Sequence, residues 1–131
     1  MGVGITGTHI LLYTKDAEAD RAFFRDVLEF PAVDAGHGWL IFGLPQAEAG
    51  LHPGDDSQLQ KHAERSLLGA VVYFMCDDLD AVMKSLAAKK VKCTEIAEAE
   101  WGRKTTIVLP SGGEIGLYQP MHPTAIGMKA G

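Results

Sequence analysis

The most constraining feature of this sequence is a pattern that it contains twice. Residues 8–28 read THILLYTKDAEADRAFFRDVL, and residues 70–90 read AVVYFMCDDLDAVMKSLAAKK. Each copy is an apolar run followed by an Asp and an amphipathic stretch, and an offset of 62 residues aligns His9 with Val71. A repeat at a fixed period indicates one supersecondary unit used twice, in which neither copy can bury its apolar face alone. We therefore predict two similar halves that close on each other, with function in the space between them.

Each half is predicted to begin with a strand and a helix. Residues 8–14 are rich in strand formers without polar alternation, which predicts a strand covered on both faces. Asp16 is the predicted N-cap of a helix over residues 17–28, and Asp77 or Asp78 is the predicted cap of the second helix. Four apolar residues of that second helix recur at helical spacing, namely Leu79, Val82, Met83 and Leu86.

Three strands are predicted after each helix, so that both halves have the order β-α-β-β-β. They are a short strand at Val33 and strands over 39–42 and 48–52 in the first half, and strands over 91–96, 104–109 and 114–118 in the second. The sequence Pro-Ser-Gly-Gly at 110–113 predicts a hairpin between the last two. We predict a single domain, 1–131, with a first module at 5–54, a second at 70–120 and a tail at 121–131 that is poorly ordered unless it docks. The polar linker at 55–69 is predicted to carry at most one turn of helix.

Composition excludes several classes of protein. The 131 residues are 47% apolar, yet no apolar run approaches the ~20 residues that span a bilayer, so no membrane partner is predicted. The net charge is −5 and no basic stripe is present, which argues against nucleic acid as a partner. Cys76 and Cys93 have neither a CxxC spacing nor the company of a signal peptide, which predicts a cytoplasmic location.

Three separated segments occur in order and match one known superfamily. They are residues 9–16 followed by AFFRDVLEF, then VYFMCDDLD, and finally LPSGGEIGLYQP. With these segments the chain resembles the vicinal oxygen chelate superfamily, which includes glyoxalase I, bleomycin-resistance proteins and extradiol dioxygenases. The resemblance covers residues 8–120 and implies an α+β fold, in which two βαβββ modules form curled mixed sheets around a cleft. It also implies a homodimer. Glu29 departs from the family, which usually has Gly at this helix end.

Strand parity divides the predicted strand residues between the cleft and the helices, because side chains alternate across a strand. If His9 faces the cleft, the predicted ligand-binding residues are His9, Tyr13, Glu48, His52, Tyr73, Met75, Glu114 and Tyr118. The residues predicted to contact the helices are Ile10, Leu12, Val72, Phe74, Ile115 and Leu117. Cys76 has the same outward parity and is predicted to pack under the second helix.

Structural alternatives remain open for several of these residues. His9 could be a core histidine that hydrogen-bonds Glu48 or Tyr118, and His52 could cap the end of its strand before Pro53. The three tyrosines could simply fill the cleft, although three inward hydroxyls favour a lined cavity. Trp39 and Trp101 could form either the wall of the pocket or a dimer contact. His122, in the tail, is predicted to lie at the surface.

The metal enzymes of the superfamily take one ligand from each of four strands, and the resemblance places these positions at His9, Glu48, Val71 and Gly116. Val71 and Gly116 have no donor, so His9 and Glu48 are an incomplete pair and no cofactor is expected. A shifted divalent-metal site at His9, Glu48, His52 and Glu114 is conceivable. The predicted function is to bind a small organic molecule in the cleft, without a complete metal site and with no catalytic residue identified.

The alternative is a metal-dependent lyase, isomerase or ring-cleaving dioxygenase, and whether the chain is an enzyme at all stays open. A third possibility is an accessory or sequestering protein whose surface matters more than its pocket.

Overall fold

The computed structural model describes residues 3–129. Its main element is a four-stranded sheet with two helices packed on one face. The helices are α1 (Ala17–Asp26) and α2 (Leu79–Ala88). The strands are β1 (Ala32–Asp34), β2 (Leu40–Phe42), β3 (Gln60–His62), β4 (Arg65–Leu67), β5 (Tyr73–Met75), β6 (Ala97–Ala99), β7 (Gly102–Val108) and β8 (Glu114–Pro120). The predicted α+β class is confirmed. Neither α1 nor α2, nor any other helix within residues 3–129, is long and apolar enough to cross a membrane.

The main sheet has the order β5-β8-β7-β6, and two small antiparallel pairs, β1-β2 and β3-β4, lie outside it. β5 runs parallel to β8, whereas β6, β7 and β8 are antiparallel neighbours. From β5 to β8 the chain follows the predicted order β-α-β-β-β. The predicted strand over 91–96 is displaced, because Cys93 makes only an isolated bridge to Ile107 and the β6 ladder begins at Ala97.

Both helices begin at the predicted type of N-cap. The Asp16 carboxylate accepts a hydrogen bond from the backbone N–H of Ala19, and the Asp78 carboxylate accepts one from the N–H of Ala81, each at 3.1 Å. Helix α1 ends at Asp26, two residues before its predicted end. Glu29, where the superfamily usually has glycine, has a φ of 59°. It therefore adopts the left-handed conformation that glycine adopts at lower cost after a helix.

The core lies on one face of the main sheet, where both helices pack. Its buried side chains come from the helices (Phe23, Phe24, Leu79, Leu86) and from the sheet (Ile107, Ile115, Leu117). Val72 and Phe74 of the second half pack against this cluster, and the rings of Phe24 and Phe74 meet with centroids 6.0 Å apart. The helix-facing parity predicted for Val72, Phe74, Ile115 and Leu117 is therefore confirmed. Helix α1, from the first half, thus packs on a sheet built by the second half.

A buried carboxylate joins the two halves at one end of α1. Asp20 is buried and accepts hydrogen bonds from the Ser111 backbone N–H at 3.1 Å and from the Ser111 hydroxyl at 2.7 Å. The Thr14 hydroxyl also donates to this carboxylate. At the other end of the helix, the Lys89 ammonium donates to the backbone carbonyl of Val27 at 3.1 Å. Polar contacts therefore reinforce the apolar contact between the halves.

The first predicted strand differs from expectation. Residues 8–14 have no regular secondary structure and pair with no strand in the described part of the chain, and the same is true of residues 48–52. The prediction that this segment is covered on both faces is wrong, since Ile10, Leu11, Leu12 and Tyr13 are all exposed and Leu11 retains 50% exposure. The predicted helix contacts of Ile10 and Leu12 are likewise not seen. The physical reason is the missing neighbour, because a lone strand leaves both faces to solvent.

The linker contains more structure than predicted. Its single turn of helix is a 3₁₀ turn at Asp56–Gln58, capped by Asp55. The chain then forms the β3-β4 hairpin, whose two-residue turn has Ala63 at φ 49° and Glu64 at φ 64°. Tight hairpin turns with two positive φ values normally contain Asn or Gly. The Ala-Glu turn therefore lacks the usual sequence signal of a hairpin.

Candidate functional site

The face of the main sheet that the helices do not cover carries a cluster of three aromatic rings. We call it the inward face, because it is the face predicted to line the cleft. Tyr73 pairs with Gly116, and Tyr118 pairs with both Met75 and Lys104. Because directly paired residues project on the same side of a sheet, these residues share the face that the helices do not cover. Trp101 precedes β7 and adds the third ring. We call Tyr73, Trp101 and Tyr118 the aromatic cluster.

Each ring of the aromatic cluster meets the other two edge to face. The centroid separations are 6.2 Å for Tyr73 and Trp101, 5.3 Å for Tyr73 and Tyr118, and 5.4 Å for Trp101 and Tyr118. Such tilted pairs are favourable because the positive edge of one ring meets the negative face of another. Gly116 makes room for this packing, since a Cβ at that position would lie 2.2 Å from a Tyr73 ring carbon.

Lys104 places a positive charge against the aromatic cluster. Its ammonium nitrogen lies 5.5 Å from the Trp101 ring centroid and 5.9 Å from that of Tyr73, a cation–π geometry. The side chain is half-buried. Across residues 3–129, none of the salt bridges involves Lys104, so no carboxylate oxygen lies within 4.0 Å of its ammonium.

The tail docks beside the aromatic cluster, which meets the condition predicted for its order. The Met121 N–H donates to the Trp101 carbonyl at 2.8 Å, and the Ala125 N–H donates to the Glu48 carboxylate at 2.7 Å. His122 was predicted to lie at the surface, but its Nε2 is 3.3 Å from the Tyr118 hydroxyl. The tail therefore joins residue 48 of the first half to the inward face of the second.

Tyr118 is the most buried group of the aromatic cluster. Burial, and to a smaller extent the nearby Glu48 carboxylate and Tyr73, raises the pKa of its phenol above the ordinary value. The phenol therefore stays protonated at neutral pH and can donate a hydrogen bond. The hydrogen-bond partner of this hydroxyl is the His122 ring.

Five of the eight predicted ligand-binding residues lie at or beside this face, namely Glu48, Tyr73, Met75, Glu114 and Tyr118. Glu114 is exposed, and so are the other three, His9, Tyr13 and His52. The Tyr13 hydroxyl hydrogen-bonds the His62 ring of the β3-β4 hairpin, and the His52 ring lies 2.7 Å from the Pro53 carbonyl. The Glu114 carboxylate accepts a hydrogen bond from the Thr106 hydroxyl. The structure therefore does not gather all eight in one cavity.

The aromatic cluster has two neighbours that the sequence analysis did not select as ligand-binding residues, Lys104 and His122. Lys104 could be identified only from the register of β7 and β8, in which it pairs with Tyr118. No periodic signal marks His122, since it lies in the irregular tail. Trp101 contacts Tyr73 and Tyr118, and both roles predicted for it, pocket wall and dimer contact, stay predictions.

Neither cysteine is suited to nucleophilic chemistry. Burial, together with the Asp77 and Asp78 carboxylates, raises the pKa of the Cys76 thiol, and burial raises that of Cys93. Both thiols are therefore protonated at neutral pH, whereas the thiolate is the reactive form. Cys76 packs against the core that includes α2, as predicted.

The residues present do not fit the four-ligand metal site of the superfamily. Within residues 3–129, no three His, Cys, Asp or Glu side chains converge closely enough to hold one ion. At the last-strand position the space beside Gly116 is filled by the Tyr73 ring, and Val71 is 78% exposed. A divalent ion is held by several converging donors, and His9 and Glu48 alone do not supply them.

Comparison with known proteins supports the resemblance found in the sequence. The family model of the Glyoxalase/Bleomycin resistance protein/Dioxygenase superfamily matches residues 8–114. The chain belongs to this superfamily. No match was found among curated proteins. The family model confirms the predicted superfamily membership.

Three similar solved structures share the fold at low sequence identity. An antibiotic-binding protein from Streptomyces sp. CB03234 is 20% identical with a TM-score of 0.59, over 91% of this chain and 99% of that one. A lactoylglutathione lyase from Agrobacterium tumefaciens is 20% identical with a TM-score of 0.56, over 90% and 96%. A glyoxylase/bleomycin resistance protein/dioxygenase domain from Frankia sp. EAN1pec is 18% identical with a TM-score of 0.56, over 89% and 99%. At such identities the similarity shows the fold and not the activity.

Proposed function

We propose that this chain binds a small organic molecule on the inward face of the main sheet, without a complete metal site. The observation that carries the proposal is the aromatic cluster, three mutually packed rings on the face that the helices leave uncovered. Ligand sites are typically apolar surfaces with a few converging polar groups. Here the polar groups are the Lys104 ammonium, the neutral Tyr118 phenol and the Glu48 carboxylate.

Trp101 is the accessible part of this surface, because it remains 40% exposed while Tyr118 is buried. A ligand can therefore pack against Trp101 while its polar groups reach Lys104 or the Tyr118 hydroxyl. That a protein of the same fold binds an antibiotic supports a binding role on this scaffold. The predicted contacts of His9, Tyr13, His52 and Glu114 with ligand remain part of the proposal. The contacts proposed for His9 and Tyr13 require a partner that covers segment 8–14, because this segment pairs with no strand in the described chain.

Binding at the aromatic cluster is testable with a neutral aromatic probe, naphthalene-2-carboxamide, by isothermal titration calorimetry. Trp101→Ala should weaken binding by about 1 to 2 kcal/mol, because an aromatic contact and its buried area are lost. Trp39→Ala is the matched control and should leave the affinity unchanged, since Trp39 stacks under Arg21 next to β2 and away from the cluster. Equal losses in the two variants would contradict this location of the site.

The alternative, a metal-dependent lyase, isomerase or dioxygenase, is tested with the same probe. Because the donors do not converge, the purified chain should hold far less than one divalent ion per chain after mild chelation. Probe affinity should also be the same before and after that chelation. A stoichiometric ion in elemental analysis, lost together with probe binding in His9→Ala, would favour the alternative instead.

We also propose that the chain forms a homodimer. Its accessible surface is 10241 Å², whereas a folded monomer of 14.1 kDa exposes roughly 6,700 Å². Permanent subunit interfaces bury roughly 2,000 to 5,000 Å² in total over both partners, so a dimer would account for part of the excess, which is about 3,500 Å² per chain. It lies partly in segments 8–14 and 48–52, which pair with no strand in the described chain although the corresponding β5 and β8 pair with each other. An unpaired apolar strand is a ready site for pairing with a second copy.

The dimer proposal predicts a mass of twice 14.1 kDa by sedimentation equilibrium. Leu11→Lys should shift the protein to monomer, because a charge in the middle of the unpaired strand opposes strand addition. Val33→Lys is the control, an exposed strand residue outside that segment, and should leave the mass unchanged. A wild-type protein that sediments as a monomer would reject the proposal.

The proposal also covers the cellular location and the class of partner. Both cysteines are free, which suits a reducing compartment, and we propose a cytoplasmic location. The charge of −5 remains the reason to exclude nucleic acid as the partner. The partner proposed for the inward face is therefore a small molecule.

A further inference from the structure

We infer that the ligand of the aromatic cluster is a planar aromatic anion whose negative group pairs with Lys104. This inference rests on the proposed function, because it names the chemical class of ligand for that same site. It follows from the unusual surroundings of one charged side chain and from the shape of the apolar surface beside it. No residue within 4.0 Å of the Lys104 ammonium supplies a carboxylate in the described part of the chain.

The environment of Lys104 differs from those of Arg103 and Lys89. Arg103, its neighbour in β7, pairs with Asp80 at 3.0 Å and Glu98 at 3.2 Å on the opposite face. Lys89 lies 3.9 Å from the Glu29 carboxylate. Lys104 is half-buried against two rings instead. Burial removes part of the hydration of an ammonium, and ring faces replace it only in part. An anionic ligand group would supply the missing partner.

The neighbouring surface selects a flat aromatic ligand. Trp101 offers an accessible indole, while Tyr73 and Tyr118 hold it edge to face from behind. A planar ring gains most from such a surface, since it can stack or meet an edge without losing rotamer freedom. The Glu48 carboxylate lies beside Tyr118 and is held by the Ala125 N–H. A ligand anion would be repelled by Glu48 and attracted by Lys104, so we expect its negative group to pair with Lys104.

The test uses three probes of the same shape that differ in charge: naphthalene-2-carboxylate, naphthalene-2-carboxamide and 2-naphthylmethylammonium. In a Trp39→Phe background Trp101 is the sole tryptophan, so quenching of its fluorescence reports binding at the site. The carboxylate should bind about tenfold more tightly than the carboxamide, the difference between a charge-assisted and a neutral hydrogen bond. The ammonium probe should bind most weakly of the three.

Variants of Lys104 separate charge from packing. Lys104→Met retains an unbranched apolar stem and should bring the ratio of carboxylate to carboxamide affinity close to one, whereas Lys104→Arg should retain the preference. Lys92→Met removes an exposed lysine outside the cluster and should leave the ratio unchanged. Carboxamide binding at Trp101 without any preference for the carboxylate would overturn the inference and leave the proposed function standing. A preference that survives in Lys104→Met would do the same. Failure of all three probes to quench Trp101 would overturn both.

Discussion

Leu79→Ala is expected to lower the free energy of unfolding by about 2 to 5 kcal/mol, the usual cost of truncating a fully buried leucine. Leu79 has 0% exposure and begins α2 directly after its Asp78 cap. It also lies where the helix meets the sheet, since its backbone N–H donates to the Gln119 side-chain carbonyl at 2.9 Å. The truncation leaves a cavity that helix and strand cannot both move to fill. Urea denaturation followed by circular dichroism measures the effect.

The sequence offers a matched control for this substitution. Leu68→Ala makes the same chemical change at a residue that is 79% exposed in the linker. Its effect should stay within about 0.5 kcal/mol, as expected for a surface position. Equal losses in the free energy of unfolding of the two variants would show that Leu79 does not lie in a buried core on the helix-covered face. A large loss in Leu68→Ala alone would place the linker in a buried contact.

Asp20→Ala is expected to lower the free energy of unfolding by about 2 to 3 kcal/mol. Its carboxylate accepts hydrogen bonds from Thr14 and from two donors of Ser111, and hydrogen bonds to a charged group are among the stronger ones. Removal of the carboxylate also leaves the partly buried Ser111 N–H without its partner. Thermal or urea unfolding of the purified variant measures the loss, and Asp20→Asn should show an intermediate effect.

Glu18→Ala is the control for this second variant. Glu18 is exposed and shares the first turn of α1, so its replacement removes the same favourable interaction with the helix dipole. That interaction is worth less than about 1 kcal/mol at an exposed site. If Glu18→Ala and Asp20→Ala cost the same, the helix dipole rather than the contact with Ser111 would account for the role of Asp20.

The helices could be predicted because they depend on local sequence. The same holds for the faces of the main sheet to which its side chains point. Asp16 and Asp78 are caps that precede apolar residues at helical spacing, and capping is a contact over three residues. The Pro-Ser-Gly-Gly turn likewise determines the β7-β8 hairpin, and Gly112 has the positive φ of 91° that such a turn requires. Alternation then orients Ile115 and Leu117 toward the helices.

The elements that differed from prediction depend on partners elsewhere in the chain or in another chain. Residues 8–14 have the composition of a strand, but a strand is covered only where a neighbour exists, and composition does not supply the neighbour. In the β3-β4 hairpin, Ala63 and Glu64 carry the positive φ values without the residues that usually announce them. The shift of the predicted strand at 91–96 to Ala97–Ala99 is a matter of register, which is set by β7.

The candidate site was predicted in part for the same reason. Parity within one strand selected Tyr73 and Tyr118, and the structure brings them into contact. Lys104 required knowledge of which β7 residue pairs with Tyr118, and Trp101 and His122 lie outside regular strands. Strand alternation can assign a side chain to a face, but it cannot tell which residues of two strands are neighbours.

The packing of α1 on a sheet from the other half has a consequence for how this protein can be divided. Phe24 and Asp20 reach Phe74 and Ser111, so the first copy of the repeat completes the core of the second. Although the repeat divides the sequence in two, we expect both halves to unfold in one cooperative transition. A chain cleaved in the linker should yield two complementary fragments that stay associated through this shared core.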